Sequence, residues 1–176
     1  MEQKIRYKAR ICEDRERIDG FLSEKRVGVL AINDKDFSPY AIPVNYVYLN
    51  GSIYFHGMGS GKKNTLLEAN PAVCFTVWDE LGTVRDSVPC KCDTSYFSVV
   101  LFGQALAVDE VSEKTMALSA LMDKFMPGMF KKPLSPVMVE KYRSSHDNRG
   151  VAVYRIKPEA LTAKENPLDP PNMFSV

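Results

Sequence analysis

Residues 53–71 read IYFHGMGSGKKNTLLEANP and contain the most informative pattern of the chain. An apolar strand pattern at 53–55 leads into His56, three glycines within five residues and the pair Lys62 and Lys63. Glycine-rich backbone can turn several N–H groups towards an anion, and neighbouring lysines add full positive charge. The stretch therefore indicates a phosphate site. An ordinary glycine-rich loop with solvated lysines explains the same residues.

The stretch matches neither of two common nucleotide motifs. A P-loop would need glycine at position 56 and Ser or Thr after Lys62, but the chain has His56 and Lys63 there. The glycines alternate with other residues, which breaks the dinucleotide pattern as well. A nucleoside triphosphate site or a Rossmann dinucleotide site is therefore disfavoured.

Length and composition predict one globular domain, 1–176. Hydrophobic residues make up 45% of the chain, charged residues 26%, and the formal net charge is +1. Such a balance gives no case for nucleic acid or an anionic membrane as a partner. No apolar run approaches the roughly 20 residues of a membrane span, and the charged N-terminus lacks a signal-peptide pattern. We expect a cytoplasmic protein.

The four cysteines do not form a metal-binding pattern. Cys90 and Cys92 are separated by one residue, too close for the usual zinc knuckle, and no second pair follows at ligand spacing. The chain has only two histidines. We expect no metal, and reduced thiols fit a cytosolic chain.

Apolar runs and alternating patterns predict a mainly β fold. Without a regular strand–helix–strand alternation, the strands favour an antiparallel barrel or sandwich with peripheral helices. The polar residues 80–94 are predicted to form a loop. The predicted strands are 27–33, 40–49, 53–55, 72–79, 96–108 and 150–157, and the predicted helices are 13–25, 64–69, 112–126 and one from residue 136.

Local signals set some of the details. Asn50 and Gly51 predict a type I′ turn between two strands. Pro43 predicts a sheet edge or a bulge, and Gly103 predicts a bulge. Residues 33–36 predict a turn, and Ser112 is expected to cap the helix that follows it.

The order of these patterns resembles a known family. A strand ending in an aromatic residue and a histidine, then a glycine and lysine turn, a short helix and Asn-Pro, is similar to the FMN-binding split β-barrel of the pyridoxamine phosphate oxidase-like superfamily. RVGVLAIN, YAIPVNYVY, SYFSVVLFGQALAV and VAVYRIKPEALTAK resemble its Nim-type nitroimidazole-resistance branch. The resemblance covers roughly residues 10–164. It implies a six-stranded antiparallel split β-barrel with peripheral helices.

The resemblance also implies a cofactor site for FMN. The isoalloxazine ring would lie along the strand PVNY, the two lysines would hold the phosphate, and a second subunit's strand would cover the flavin. Tyr46 and Trp78 are equally explained as core residues. The residues that match the family's site are Pro43, Val44, Asn45, Tyr46, Phe55, His56, Gly57, Lys62, Lys63, Trp78, Ser98 and Val99.

The implied function is an FMN-dependent oxidoreductase. It would be a homodimer with the flavin at the subunit interface, would reduce small electrophiles such as nitroaromatic compounds, and would have His56 as its candidate catalytic residue. Pyridoxamine oxidation is disfavoured, because no arginine or histidine follows Arg155 to match those that grip that substrate. The alternative is a non-enzymatic module that carries or senses flavin or haem.

Overall fold

Six antiparallel strands close into a barrel in the order β1-β2-β3-β6-β5-β4, with β1 paired to β4. The computed structural model describes residues 5–34 and 39–174, so the turn predicted at 33–36 lies partly outside the described residues. The predicted mainly β barrel with a few peripheral helices is confirmed. The strands are β1 (Val27–Ile32), β2 (Tyr40–Leu49), β3 (Ser52–Gly57), β4 (Ala72–Val84), β5 (Asp93–Ala107) and β6 (Ala152–Asn166).

Two turn and bulge predictions are confirmed. Asn50 and Gly51 have φ values of 51° and 75°, the left-handed pair that a type I′ hairpin requires. Between Phe102 and Gly103 the register of β5 against β6 shifts, which is the predicted bulge. Pro158 lies opposite Gly103, where the irregular ladder tolerates a residue without an N–H group.

Two strands are longer than predicted. β4 continues to Val84 and β5 begins at Asp93, so the ends of the predicted loop 80–94 are strand. These residues form a ribbon beyond the barrel with little burial on either side, so they carry no hydrophobic period to read. β6 likewise continues past Lys157 to Asn166, because β5 pairs with it along this whole length.

Four α-helices of the described residues lie around the barrel. α3 begins after Glu110, whose carboxylate accepts from the backbone N–H of Ser112 and Glu113, so the prediction that Ser112 is the cap was wrong. None of the described helices is both long and apolar enough to cross a membrane. The helices are α1 (Arg15–Glu24), α2 (Lys62–Ala69), α3 (Val111–Phe125) and α4 (Pro136–Lys141).

The molecule has two hydrophobic clusters. The main one fills the barrel and includes Leu22 of α1, which is fully buried. The second lies outside the barrel, where Ala117 and Leu121 of α3 pack on Val47, Tyr54 and Val153 of β2, β3 and β6. The outer face of these three strands is therefore covered by α3 around Val47, Tyr54 and Val153.

Candidate functional site

The barrel is split between the first half of β2 and the end of β3. The ladder between these strands ends at the pair Tyr46 and Phe55, although residues 40–45 continue to pair with β1 on their other side. His56 and Gly57, which follow in β3, pair only with β6. An opening therefore remains beside residues 40–45.

The edge of β2 at this opening offers unpaired backbone groups. The Tyr46 N–H donates to the Arg26 carbonyl at 3.3 Å, so the backbone N–H and C=O of Tyr46 point towards β1. The direction of the backbone hydrogen-bonding groups alternates along a strand, so the backbone groups of Pro43 and Asn45 point towards the opening. Proline has no N–H to satisfy there, which explains why it is tolerated. The Asn45 N–H and the carbonyls of both residues can bind the polar edge of a flat heterocycle.

The side chains of the predicted ring site point to two sides of the sheet. Pro43, Asn45 and His56 are exposed on the outside. Tyr46 is fully buried, donates its hydroxyl to the Leu22 carbonyl at 2.9 Å and packs in the barrel, as the core interpretation of that residue predicts. Val44 and Phe55 also face the barrel interior.

Lys63 lies at the mouth of the barrel without an acidic partner. Its amine is 5.4 Å from the centre of the Phe55 ring and 5.9 Å from that of Tyr154. A side chain at Gly57 would place a Cβ 2.4 Å from this amine, so glycine leaves room for it. Burial lowers the pKa of Lys63. Within residues 5–34 and 39–174 it has no ion pair, which leaves its charge available to a ligand.

Lys62 has a different environment. Its amine forms an ion pair with Asp34 at 3.1 Å and lies 4.9 Å from the centre of the Tyr40 ring. The Lys62 side chain is 54% exposed, and that of Asp34 is only 12% exposed. The structure thus separates two lysines that the sequence treats as a pair, and Lys63 is the better candidate for an anion ligand.

The glycine loop leads directly into α2, which begins at Lys62 rather than at the predicted Asn64. Gly61 precedes it with a φ of 121°, which favours glycine, and offers no side-chain cap. The N–H groups of the first turn therefore lack intrahelical acceptors and can bind an anion. Asn64 donates to the Met58 carbonyl at 3.1 Å and Ser60 to Asp147 at 2.7 Å, and these bonds fix the loop.

His56 is exposed beside this site. Partial burial of its imidazole and the positive charge of Lys63 lower the pKa of His56 below its ordinary 6.5. The ring is therefore mostly neutral at pH 7, with one nitrogen able to donate and the other able to accept a hydrogen bond.

The remaining predicted residues lie on β4 and β5, which β1 separates from β2 within one chain. Trp78 pairs with Ser98, and its side chain is 60% exposed, so the core interpretation of Trp78 was wrong. Val99 is fully buried in the barrel. One chain does not bring these residues to the opening.

Trp78 and Ser98 belong to a larger apolar surface that the sequence prediction missed. Val29 pairs with both Pro43 and Thr76, so this surface reaches the split edge of β2. The signal was present in AVCFTVW of β4, which is apolar at positions of both faces, as in a strand covered on both sides. We call this surface the uncovered face; its residues are Val29, Ala31, Cys74, Thr76, Trp78, Ser98, Val100 and Phe102.

Neither cysteines nor acidic residues add a metal site in the part of the chain that the structure describes. No group of three His, Cys, Asp or Glu side chains is placed to hold an ion there. Cys90 and Cys92 are exposed free thiols. Among the described residues, no contact places a group of this loop at the opening beside β2.

Comparison with solved structures gives the same barrel. The structure of a provisionally named 5-nitroimidazole antibiotic resistance protein from Bacteroides thetaiotaomicron is 25% identical, with a TM-score of 0.66 over 88% of this chain and 85% of that one. The flavocytochrome Anf3 from Azotobacter vinelandii is 22% identical, with a TM-score of 0.75 over 95% and 75%. A FAD and haem binding protein from Mycobacterium smegmatis is 20% identical, with a TM-score of 0.71 over 91% and 76%.

Sequence comparison assigns the family. No curated protein matches the chain. The model of the family described as pyridoxamine 5'-phosphate oxidase matches residues 14–165, most of the chain. The chain therefore belongs to the pyridoxamine 5'-phosphate oxidase family.

Proposed function

We propose that this protein is an FMN-dependent oxidoreductase that works as a homodimer and reduces small electrophiles such as nitroaromatic compounds. The observation that carries the proposal is Lys63, a half-buried cation at the mouth of the split barrel that forms no ion pair with any residue the structure describes. Family membership and the likeness to the resistance protein from B. thetaiotaomicron support a flavin and this class of substrate.

The residues at the opening fit FMN. Lys63 and the N–H groups at the start of α2 can both donate to phosphate oxygens, and Lys63 would not have to give up an ion pair with any described residue to do so. The unpaired edge at Pro43 and Asn45 suits the polar edge of the ring, and His56 is exposed beside it. The chemistry that bound FMN would supply is the transfer of two electrons from a reduced donor to a small electrophilic acceptor.

The uncovered face supports a second copy of the chain as partner. Its eight residues carry no charge, although 26% of the chain is charged. It is continuous with the split edge through Val29, so a partner seated on it would shield the opening from water. Trp78 is exposed and the other seven residues are partly exposed, and an uncharged, mostly apolar patch of this kind is typical of a protein interface.

His56 is the residue proposed to act beside the ring. With its pKa lowered, the neutral imidazole can hold or donate one hydrogen bond at neutral pH. Its role is to position the ring or the acceptor rather than to act as a nucleophile.

Turnover separates the enzyme from a carrier or sensor. In the absence of oxygen, we expect the FMN-loaded protein to oxidise NADH or NADPH beyond one equivalent per flavin only when a nitroaromatic acceptor such as a 5-nitroimidazole is present. His56→Gln should lower this rate by roughly three- to tenfold, as expected for the loss of one positioning hydrogen bond. Lys62→Ala, which removes the pair with Asp34 and the contact with the Tyr40 ring, is the matched control and should keep most of the rate.

If neither nicotinamide reduces the FMN-loaded protein, and chemically reduced protein passes no electrons to the nitroaromatic, the enzyme proposal fails. FMN binding without turnover would then favour the carrier or sensor. A cytoplasmic location is part of the proposal and is supported by the four free thiols.

A further inference from the structure

A groove lies between α3, α4 and the segment 143–151 that leads into β6. Its volume is about 430 Å³. Neither the ring site nor the phosphate site described above uses its side chains. The residues that line it are Val111, Lys114, Val139, Glu140, Arg143, Asn148, Arg149, Gly150 and Val151.

Three cations and one carboxylate face this groove. Lys114, Arg143 and Arg149 line it together with Glu140, and none of the three cations forms an ion pair in the described ranges. Nη1 of Arg143 donates to the carbonyls of Glu140 and Tyr142, each at 2.7 Å. Its remaining N–H groups and the amine of Lys114 are left for an anion. Such an excess of unpaired positive charge in a concave site favours phosphate.

The groove is continuous with the glycine loop of the proposed flavin site. Arg149 donates to the Gly59 carbonyl at 3.3 Å. A Cβ at Gly59 would lie 2.7 Å from the Gly150 carbonyl, and one at Gly150 would lie 3.9 Å from Nη1 of Arg143. The glycine loop therefore packs against the segment that holds Arg149 and Gly150, and the groove lies on the other side of that contact.

The other lining residues are apolar. Val111 and Val151 are half-buried, and Val139 is buried, so the groove has a hydrophobic side as well as a charged one. A phosphate alone would make no contact with the hydrophobic side. A nucleotide would contact both sides, because its base or sugar can pack on the valines and its phosphates can bind the cations.

We propose that this groove binds the adenine nucleotide part of a ligand, through its phosphates. This inference rests on the proposed flavin site, because the ligand would be either the flavin itself or the donor that reduces it. The nucleotide has two possible sources, the AMP half of FAD or a separate nicotinamide dinucleotide that reduces the flavin. Both present the same chemistry to Lys114 and Arg143.

The test uses the full-length protein and two probes. Binding of 2′,5′-ADP is measured by calorimetry with and without FMN, and binding of FAD and FMN is measured by quenching of flavin fluorescence. Lys114→Met and Arg143→Gln each remove a cation but keep the packing stem. Lys141→Met removes an exposed lysine of α4 that does not line the groove and is the control. Circular dichroism verifies that each variant is folded.

If the groove binds a separate nucleotide, wild-type protein binds 2′,5′-ADP, and each groove variant weakens it by about tenfold or more, as expected for a lost charge-assisted contact. If it binds the AMP half of FAD, the wild type prefers FAD to FMN and the variants abolish that preference without changing FMN. Equal losses in the Lys141→Met control, or no loss in any variant, would overturn the proposal. Binding of 2′,5′-ADP by a protein that fails to bind FMN would overturn the flavin site and leave the groove standing.

Discussion

The outer surface of the barrel is apolar on two sides, but the chain covers only one of them. On β2, β3 and β6, Val47, Tyr54 and Val153 lie beneath α3 and form a second hydrophobic cluster. On β1, β4 and β5, the uncovered face has similar apolar residues, but none of them belongs to either hydrophobic cluster of the described residues, and Trp78 is 60% exposed. In the proposed homodimer the second copy would cover the second side, and the split edge of β2 lies at its margin.

The largest expected effect comes from a charge placed on the uncovered face. We expect the wild type to be a dimer and Trp78→Glu to raise the dissociation constant by roughly a thousandfold, because two-fold symmetry buries the unpaired charge twice. Sedimentation or light scattering measures the mass. Leu106→Glu, also an exposed apolar residue of β5 but outside this face, is the control and should stay dimeric.

The covered side should respond in the opposite way. Leu121→Ala in α3 should lower the free energy of unfolding by about 2–5 kcal/mol, the cost of a cavity, and leave the mass unchanged. A wild-type protein that is monomeric at micromolar concentration would show that the two faces do not differ in this way.

A smaller effect, a pH dependence of stability, is expected from Lys124 at the end of α3. The Lys124 amine at the end of α3 donates to the Lys25 carbonyl at 2.5 Å and lies 4.7 Å from the centre of the Tyr46 ring. Burial and the charge of Arg26 lower the pKa of Lys124 to about 8. Between that pH and the ordinary 10.5, the unfolded chain binds more protons than the folded one, so stability rises with pH.

Relative to Lys124→Met, the wild type should therefore gain about 1–2 kcal/mol across that interval, once solvent screening of the half-buried amine is discounted. Urea unfolding at both ends of the interval measures the gain, and Lys131→Met, on an exposed lysine, is the control. A difference between wild type and Lys124→Met that does not change with pH would show that the amine keeps its ordinary titration.

The sequence predicted the fold well because its signals are local. Asn50 with Gly51 sets one hairpin, and Gly103 sets one bulge, through backbone angles that few other residues adopt. The strands of the barrel alternate or are apolar throughout, as buried β-structure requires. The strand extensions at 80–84 and 93–95 carry no such period, and they were missed.

The candidate site was predictable only in part, because its decisive contacts are long-range. Lys62 and Lys63 are adjacent in sequence, yet one pairs with Asp34 and the other lies over Phe55 and Tyr154. Arg149 meets Gly59 across 90 positions. No local pattern carries that information, and only the folded barrel separates the two lysines and brings the arginine to the loop.

The most direct measurement of the central claim is the affinity of the protein for FMN and for riboflavin, which lacks the phosphate. We expect Lys63→Ala to weaken FMN by about 10–100-fold, since it removes a charge-assisted contact from a half-buried site, and to leave riboflavin nearly unchanged. Lys62→Ala should weaken FMN by less than about threefold, because that lysine is exposed and already paired. Equal losses of FMN and riboflavin in Lys63→Ala, or a larger loss of FMN in Lys62→Ala, would contradict the assignment of the phosphate to Lys63.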